Sequence, residues 1–194
     1  MVLGVAGSAR RGGNTETLLD WCLGAARAAG ATVVKFRLSE LDLHGCRACD
    51  ACWKDGVCVV KDGMQQLYPY LREADSIVLA APVYFMGMPA VPKMMIDRCQ
   101  CFWALKYVLG RRLVEPDRPR RLGAFITCSG TTVGHVFDGS RRVIEAWWRL
   151  LEVTPAGELA FAGVDARGDI LARPGAKAAA EDLGRLVAER ESRR

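Results

Sequence analysis

At 194 residues the chain is long enough for one domain with a complete hydrophobic core. It is 51% hydrophobic and 25% charged, ordinary for a globular protein, and it has no apolar run of about 18 residues that would cross a membrane. The net charge of +5 is modest, and no basic motif interleaved with aromatics supports nucleic-acid binding; the excess, in Arg111, Arg112, Arg118, Arg120, Arg121 and an Arg-rich C-terminus, reads as solvated surface.

The first predicted element is a buried strand, Val2-Leu3-Gly4-Val5-Ala6. A strand this early leaves no room for a signal peptide, so the expected compartment is the cytoplasm, with no membrane partner. Gly7-Ser8-Ala9-Arg10-Arg11-Gly12-Gly13-Asn14-Thr15 ends the strand. A helical stripe follows over Leu18, Leu19, Cys22, Ala25, Ala26 and Ala29, and Gly30 stops it. Strand, small polar loop and helix make an anion site, because free N–H groups and the positive helix end converge there. Ser8, Asn14 and Thr15 add short donors, Arg10 or Arg11 adds charge, and the glycines let the backbone come close. The fitting guest is a phosphate monoester. The loop is neither a Walker pattern nor Gly-x-Gly-x-x-Gly, and a plain β–α turn is the alternative.

Gly7-Ser8-x-Arg10-x-x-Gly13-Asn14-Thr15 also resembles the phosphate loop of the NADPH-dependent FMN reductases and their flavodoxin-like relatives. The resemblance implies FMN, with Ser8, Arg10, Gly13, Asn14 and Thr15 on its phosphate. The basic net charge argues against a flavodoxin-type carrier, since such carriers are strongly acidic.

Thr32 to Leu38 reads as a second strand, weakly alternating and suited to a sheet edge. A cysteine loop at 44–60 follows. Eight cysteines are many for a cytosolic chain, where disulfides are not expected, and four of them, Cys46, Cys49, Cys52 and Cys58, are spaced C-x2-C-x2-C-x5-C. Four thiolates on so short a loop point at a common centre. The compact spacing fits a [4Fe–4S] cube; zinc and a metal-free set of thiols are the alternatives, though zinc sites usually pair two knuckles across a longer spacer. A flavodoxin-like domain with this loop after strand two resembles the iron–sulfur flavoproteins. That resemblance implies one [4Fe–4S] cluster per subunit on those four cysteines. Cys22, Cys99, Cys101 and Cys128 fall outside the pattern; Cys22 reads as core, and Cys99 and Cys101, which face apart on a helix, read as buried thiols rather than a redox pair.

Asp62 is placed to cap a helix reaching about Glu73, with Met64, Leu67 and Leu71 inward and a kink or break at Pro69. Ser76 to Ala81 is an apolar run, hence a central strand. It leads into Pro82-Val83-Tyr84-Phe85-Met86-Gly87-Met88-Pro89. Such a loop can lay amides and an apolar wall along a flat ring, or simply pack as a hydrophobic turn. With Lys93, Ile96, Asp97 and Arg98 on the next helix, it resembles the isoalloxazine loop of the same reductases, implying ring contacts from Pro82, Val83, Tyr84, Phe85, Met86 and Gly87.

Residues 91–110 read as one long helix whose aromatic surplus predicts a helix–helix contact in a homodimer or homotetramer. Strand four is Leu122 to Thr127, and Ser129 and Gly130 in the loop after it would meet the other side of the ring, by resemblance. A helix over 139–152, strand five over Glu158 to Ala162 and a last helix begun by Pro174 complete the chain. Five strands alternating with helices predict a single α/β domain over 1–194 with a doubly wound parallel sheet; the resemblance implies a three-layer α/β/α flavodoxin-like fold with the strand order 2-1-3-4-5. The resemblance implies a flavin-dependent oxidoreductase. Its donor would be ferredoxin or NAD(P)H, and its acceptor a quinone, an oxygen species or another carrier. A cluster-free NAD(P)H-dependent FMN or quinone reductase and a non-catalytic electron carrier are the rival readings.

Overall fold

The structure, a computed structural model, describes residues 1–189; the basic C-terminus counted above lies outside the described residues. Five parallel strands form one sheet: β1 (Val2–Ala6), β2 (Val33–Arg37), β3 (Ser76–Ala80), β4 (Arg121–Ser129) and β5 (Val153–Ala162). Their order is β2-β1-β3-β4-β5, as predicted. β1 lies in register with both neighbours, Val2 facing Val33 on one side and Ser76 on the other. β1 and β3 are buried along their whole length, which is why they read as continuous apolar runs, whereas β2 sits half-buried at the edge.

The two-residue period of the strands separates two cores. Leu3, Val5, Ile77 and Leu79 meet α2 (Met64–Glu73), α3 (Ala90–Arg98), α4 (Gln100–Trp103) and α5 (Asp138–Leu151). Val2, Ala6, Val78 and Ala80 meet α1 (Asn14–Ala28) and α6 (Ala176–Ala188) on the opposite face. The layers are therefore α/β/α, and the strand order reverses between β1 and β3, where such sheets open a crevice beyond their carboxyl ends. α1 and α6 touch closely: a Cβ on Gly184 would overlap the Cys22 carbonyl.

Several elements depart from the sequence reading. α2 runs unbroken through Pro69. An internal proline costs about 3 kcal/mol, and burying Met64, Leu67 and Leu71 completely returns about 1.5–3 kcal/mol each, so packing holds the helix. The expected long helix over 91–110 is three pieces. α3 stops at Cys99, α4 follows, and Ala104–Val108 winds as a π turn with Leu109 N–H donating to the Ala104 carbonyl at 3.0 Å. The break falls where the Trp147 indole N–H donates to Cys99 Sγ at 3.3 Å, a contact between helices that no periodicity encodes. β4 and β5 are longer than predicted, so Ser129 is the last residue of a buried strand rather than part of a loop. Ala29 is exposed as the C-cap of α1, and Leu23, not part of the expected stripe, is buried.

Arg121 corrects the reading of the basic residues as solvated. It is fully buried at the start of β4. Its guanidinium donates to the carbonyls of Ala74 (2.8 Å), Leu151 (2.6 Å) and Leu71 (2.6 Å), tying together the C-terminal ends of α2 and α5. Burial lowers its pKa to about 10. Among the described residues no helix is long and apolar enough to cross a membrane.

Candidate flavin and cluster sites

The phosphate loop is built by its neighbours. β1 carries the chain to Gly7, whose N–H donates to the Ala80 carbonyl at 2.7 Å. Gly12 takes φ +61°, a conformation only glycine adopts without strain, and its N–H donates to Glu16 Oε2 at 2.7 Å. The first helical bond of α1 runs from Thr17 N–H to the Gly13 carbonyl at 2.9 Å. The N–H groups of Asn14, Thr15 and Glu16 therefore open toward the loop with no helical partner, the donor set an anion takes.

Beneath them Glu16 is fully buried and pairs with Lys35 (2.7 Å) and with Arg37. Burial alone would raise its pKa, but the bonds from Lys35, Gly12 N–H and Arg37 outweigh it, and the carboxyl sits below its ordinary value. The network keeps the first turn of α1 anchored to β2.

Ser8, Arg10, Gly13, Asn14 and Thr15 come together around one cleft of about 60 Å³, closed by Pro82, Val83 and Tyr84 and by Cys128, Val164 and Asp165. That is room for an anionic head group and well short of the several hundred Å³ of a whole-ligand pocket. The Asn14 side chain faces away from the role expected of it. It donates to the Ala166 carbonyl (2.9 Å) and accepts from Gly168 N–H (3.0 Å), so it ties α1 to the loop after β5. The Arg10 guanidinium donates to the Asp165 carbonyl at 3.0 Å. This fourth wall, Val164 to Asp169, was missed in sequence; its signal was the turn-rich Gly163-Val164-Asp165-Ala166-Arg167-Gly168-Asp169 beyond strand five.

The loop after β3 is a tight hairpin. Val83 N–H donates to the Cys128 carbonyl (2.9 Å), and Tyr84 and Gly87 exchange backbone bonds of 2.8 and 3.1 Å. Phe85 and Met86 both have positive φ, 48° and 64°, at the two central positions. A two-residue hairpin turn asks for that geometry, but a bulky residue holds it only under strain. Phe85 projects fully into solvent, so Phe85, Met86 and Gly87 stand outside the cleft. Ser129 is buried at the end of β4, and Gly130 packs against Asp165; neither lines the cleft, where Cys128 stands instead.

The cysteine loop crosses from β2 to α2. Ala48 and Asp50 adopt left-handed φ of 49° and 55°, and Gly56 at φ 79° packs against Leu105 of the π turn. These turns bring Cys46, Cys49, Cys52 and Cys58 to one small cavity of about 30 Å³, lined also by Arg98, Gln100 and Cys101. Cys101, read from sequence as a core thiol apart from the cluster, is buried but reaches this cavity. Burial raises the Cys52 thiol pKa; its backbone N–H opposes this, and charge on Cys58, Cys46 and Cys49 raises it further. Among the described residues no three Cys, His, Asp or Glu side chains close on a single ion-sized point.

Arg98, the last residue of α3, is fully buried beside this cavity. It forms a two-pronged ion pair with Asp62 (2.5 and 3.2 Å) and donates to the carbonyls of His44 (2.9 Å) and Val60 (3.3 Å) and to Cys58 Sγ (3.4 Å). Its Nε–H is buried with no acceptor. Asp62 stands one residue before the Gly63 N-cap of α2 and accepts from Met64 N–H at 3.1 Å; it also accepts from His44 N–H at 2.9 Å and from Arg98, 18 and 36 residues away.

The sequence profile of the NADPH-dependent FMN reductase family matches residues 1–156. The chain belongs to that family. It is also 36% identical over 97 residues, 50% of this chain and 51% of the relative, to an iron-sulfur flavoprotein of Methanosarcina thermophila. A second iron-sulfur flavoprotein, from Methanocaldococcus jannaschii, is 36% identical over 97 residues, 50% of each chain. The chain thus spans about half the length of the curated relatives it matches. A flavone reductase structure superposes with a TM-score of 0.70 at 18% identity over 96% of this chain and 61% of that one, a likeness of fold.

As a member of the FMN reductase family the chain offers what an FMN phosphate needs: three open N–H groups at a helix start, a glycine at positive φ and an arginine at the rim. The cysteine loop offers four cysteines lining one cavity, the residue type that ligates iron–sulfur clusters, and a buried guanidinium N–H lacking an acceptor.

Proposed function

We propose that the chain is a flavin-dependent oxidoreductase of the iron–sulfur flavoprotein type, binding FMN at the β1–β3 rim and a [4Fe–4S] cluster on Cys46, Cys49, Cys52 and Cys58. The observation that carries this is the convergence of all four loop cysteines on one cavity in a chain that also forms the phosphate cleft. A cube spreads its thiolates over four irons and does not ask them to meet at one point, as one zinc does.

FMN would supply two-electron redox chemistry, and the cluster one-electron transfer. The chain's own part is positioning. Ser8, Gly13, Thr15 and the open amides hold the phosphate, and Arg10 adds charge. Pro82, Val83 and Tyr84, which close the cleft, present backbone and apolar surface to the ring, with Phe85, Met86 and Gly87 forming the hairpin tip beside it, where Phe85 and Met86 are exposed. α3 starts at Ala90 just after the ring loop and ends at Arg98 against the cysteine loop, so one helix of nine residues links the two regions. Ferredoxin or NAD(P)H would be the donor, with a quinone or an oxygen species as acceptor. Trp103 and Tyr107, exposed on a groove between α3, α4 and α5, support self-association as a homodimer or homotetramer.

Anaerobic purification tests the reading. The expected product carries FMN with four irons and four sulfides per chain, loses iron in Cys49→Ala, and oxidises NAD(P)H or reduced ferredoxin when a quinone is added. FMN without iron would return the chain to a cluster-free FMN or quinone reductase. Both cofactors without turnover would make it a carrier. A protein that bound no FMN would end the flavin reading.

A further inference from the structure

We propose that Arg98 is a positioning residue that sets the reduction potential of the cluster held by Cys46, Cys49, Cys52 and Cys58, acting through its bond to Cys58 Sγ. The proposal rests on the cluster reading above.

Four observations carry it. Arg98 lines the four-cysteine cavity and is fully buried, so its charge is little screened there. Its Nη2–H donates to Cys58 Sγ at 3.4 Å. It grips both flanks of the cysteine loop, His44 before the first cysteine and Val60 and Asp62 after the last. Its Nε–H is buried without an acceptor, a donor left over in the residue that already bonds Cys58 Sγ. Hydrogen bonds to cluster sulfurs and local net charge are two of the levers by which proteins tune such potentials.

The sign follows from charge. Reduction adds one electron to the cluster and breaks no bond, so the site becomes one unit more negative. A guanidinium held against a ligand sulfur favours that reduced form and raises the potential. The Asp62 carboxylate, bonded to the same guanidinium, opposes it in part. Because the partner residues have opposite charge, a role in potential and a role in packing alone make different forecasts. Packing alone forecasts that both substitutions weaken cluster retention without opposed shifts.

The test is a dithionite titration, followed by EPR, of anaerobically purified wild type, Arg98→Gln, Arg98→Lys and Asp62→Asn, with iron and sulfide counted in each. Asp62→Asn keeps an oxygen for the Met64 N–H and removes the one that accepts from His44 N–H and Arg98 Nη1–H, and Arg98→Lys keeps the charge. We expect loaded Arg98→Gln to reduce at lower potential, with at least a tenfold change in oxidised-to-reduced ratio at fixed potential, about 59 mV for one electron. Arg98→Lys is expected near wild type, and Asp62→Asn shifted upward. A loaded Arg98→Gln with an unmoved midpoint overturns the proposal and leaves the cluster reading standing. If Arg98→Gln loses its iron, Asp62→Asn decides, and no upward shift there overturns it. Wild type without iron overturns both.

Discussion

Gly139 leaves room for the Met86 carbonyl: a methyl group on Gly139 would overlap that oxygen. The first turn of α5 thus buttresses the strained hairpin after β3 from behind, a support that sequence spacing does not announce. Gly139→Ala should push Met86 and the ring loop out of place. Overpacking of this kind costs about 1–3 kcal/mol, and FMN affinity should fall about tenfold or more. Fluorescence titration with FMN checks it; unchanged affinity would show the hairpin free to shift.

Phe85→Gly tests the strain itself. Phe85 holds φ 48° while fully exposed, so replacing it loses no burial. Relief of a left-handed non-glycine residue should raise apo-protein stability by about 1 kcal/mol, while the extra chain entropy loosens the ring loop and weakens FMN binding. Urea unfolding of the apo protein reads the first effect. A less stable variant would mean that Phe85 is not strained.

Glu16→Gln tests the anchor under the phosphate loop. The folded carboxyl sits below its ordinary value near 4.5, so its contribution is complete above that pH and is lost as pH falls through the folded value. At neutral pH the variant should be less stable by about 2 kcal/mol, since Lys35 and Arg37 lose the charge of their shared acceptor and one carboxylate oxygen becomes a donor, although Lys35 keeps Asp20 and Arg37 keeps Glu40. On acidification the difference between the two proteins should shrink. A gap that stayed constant down to the acid transition would show that the ion pairs contribute nothing.

Arg121→Met tests the buried guanidinium. Three carbonyls at the ends of α2 and α5 lose their donor, and each orphaned acceptor costs about 1–3 kcal/mol. Some of this is offset by the apolar stem, so a loss of about 3 kcal/mol is expected by urea unfolding, with FMN binding by the surviving folded fraction unaltered. A change below about 1 kcal/mol would place water, rather than Arg121, as the effective cap.

The order of strands in the sheet came from family resemblance, while the amino-acid order by itself determined the strands and the loops that carry chemistry. These are local: apolar runs, glycine and proline punctuation, and cysteines a few residues apart are all written within one segment of chain. Tertiary structure alone decided which groups complete those loops. Asn14 was legible as a polar residue at a helix start, but only folding delivers Ala166 and Gly168 to its amide, 152 and 154 residues on. Arg98 and Asp62 were legible as a helix end and a cap, and only the packing of α3 beside the cysteine loop makes them one buried pair bonded to Cys58. Pattern records what each residue prefers for itself; partnership across the sheet depends on distances that no period in the chain contains.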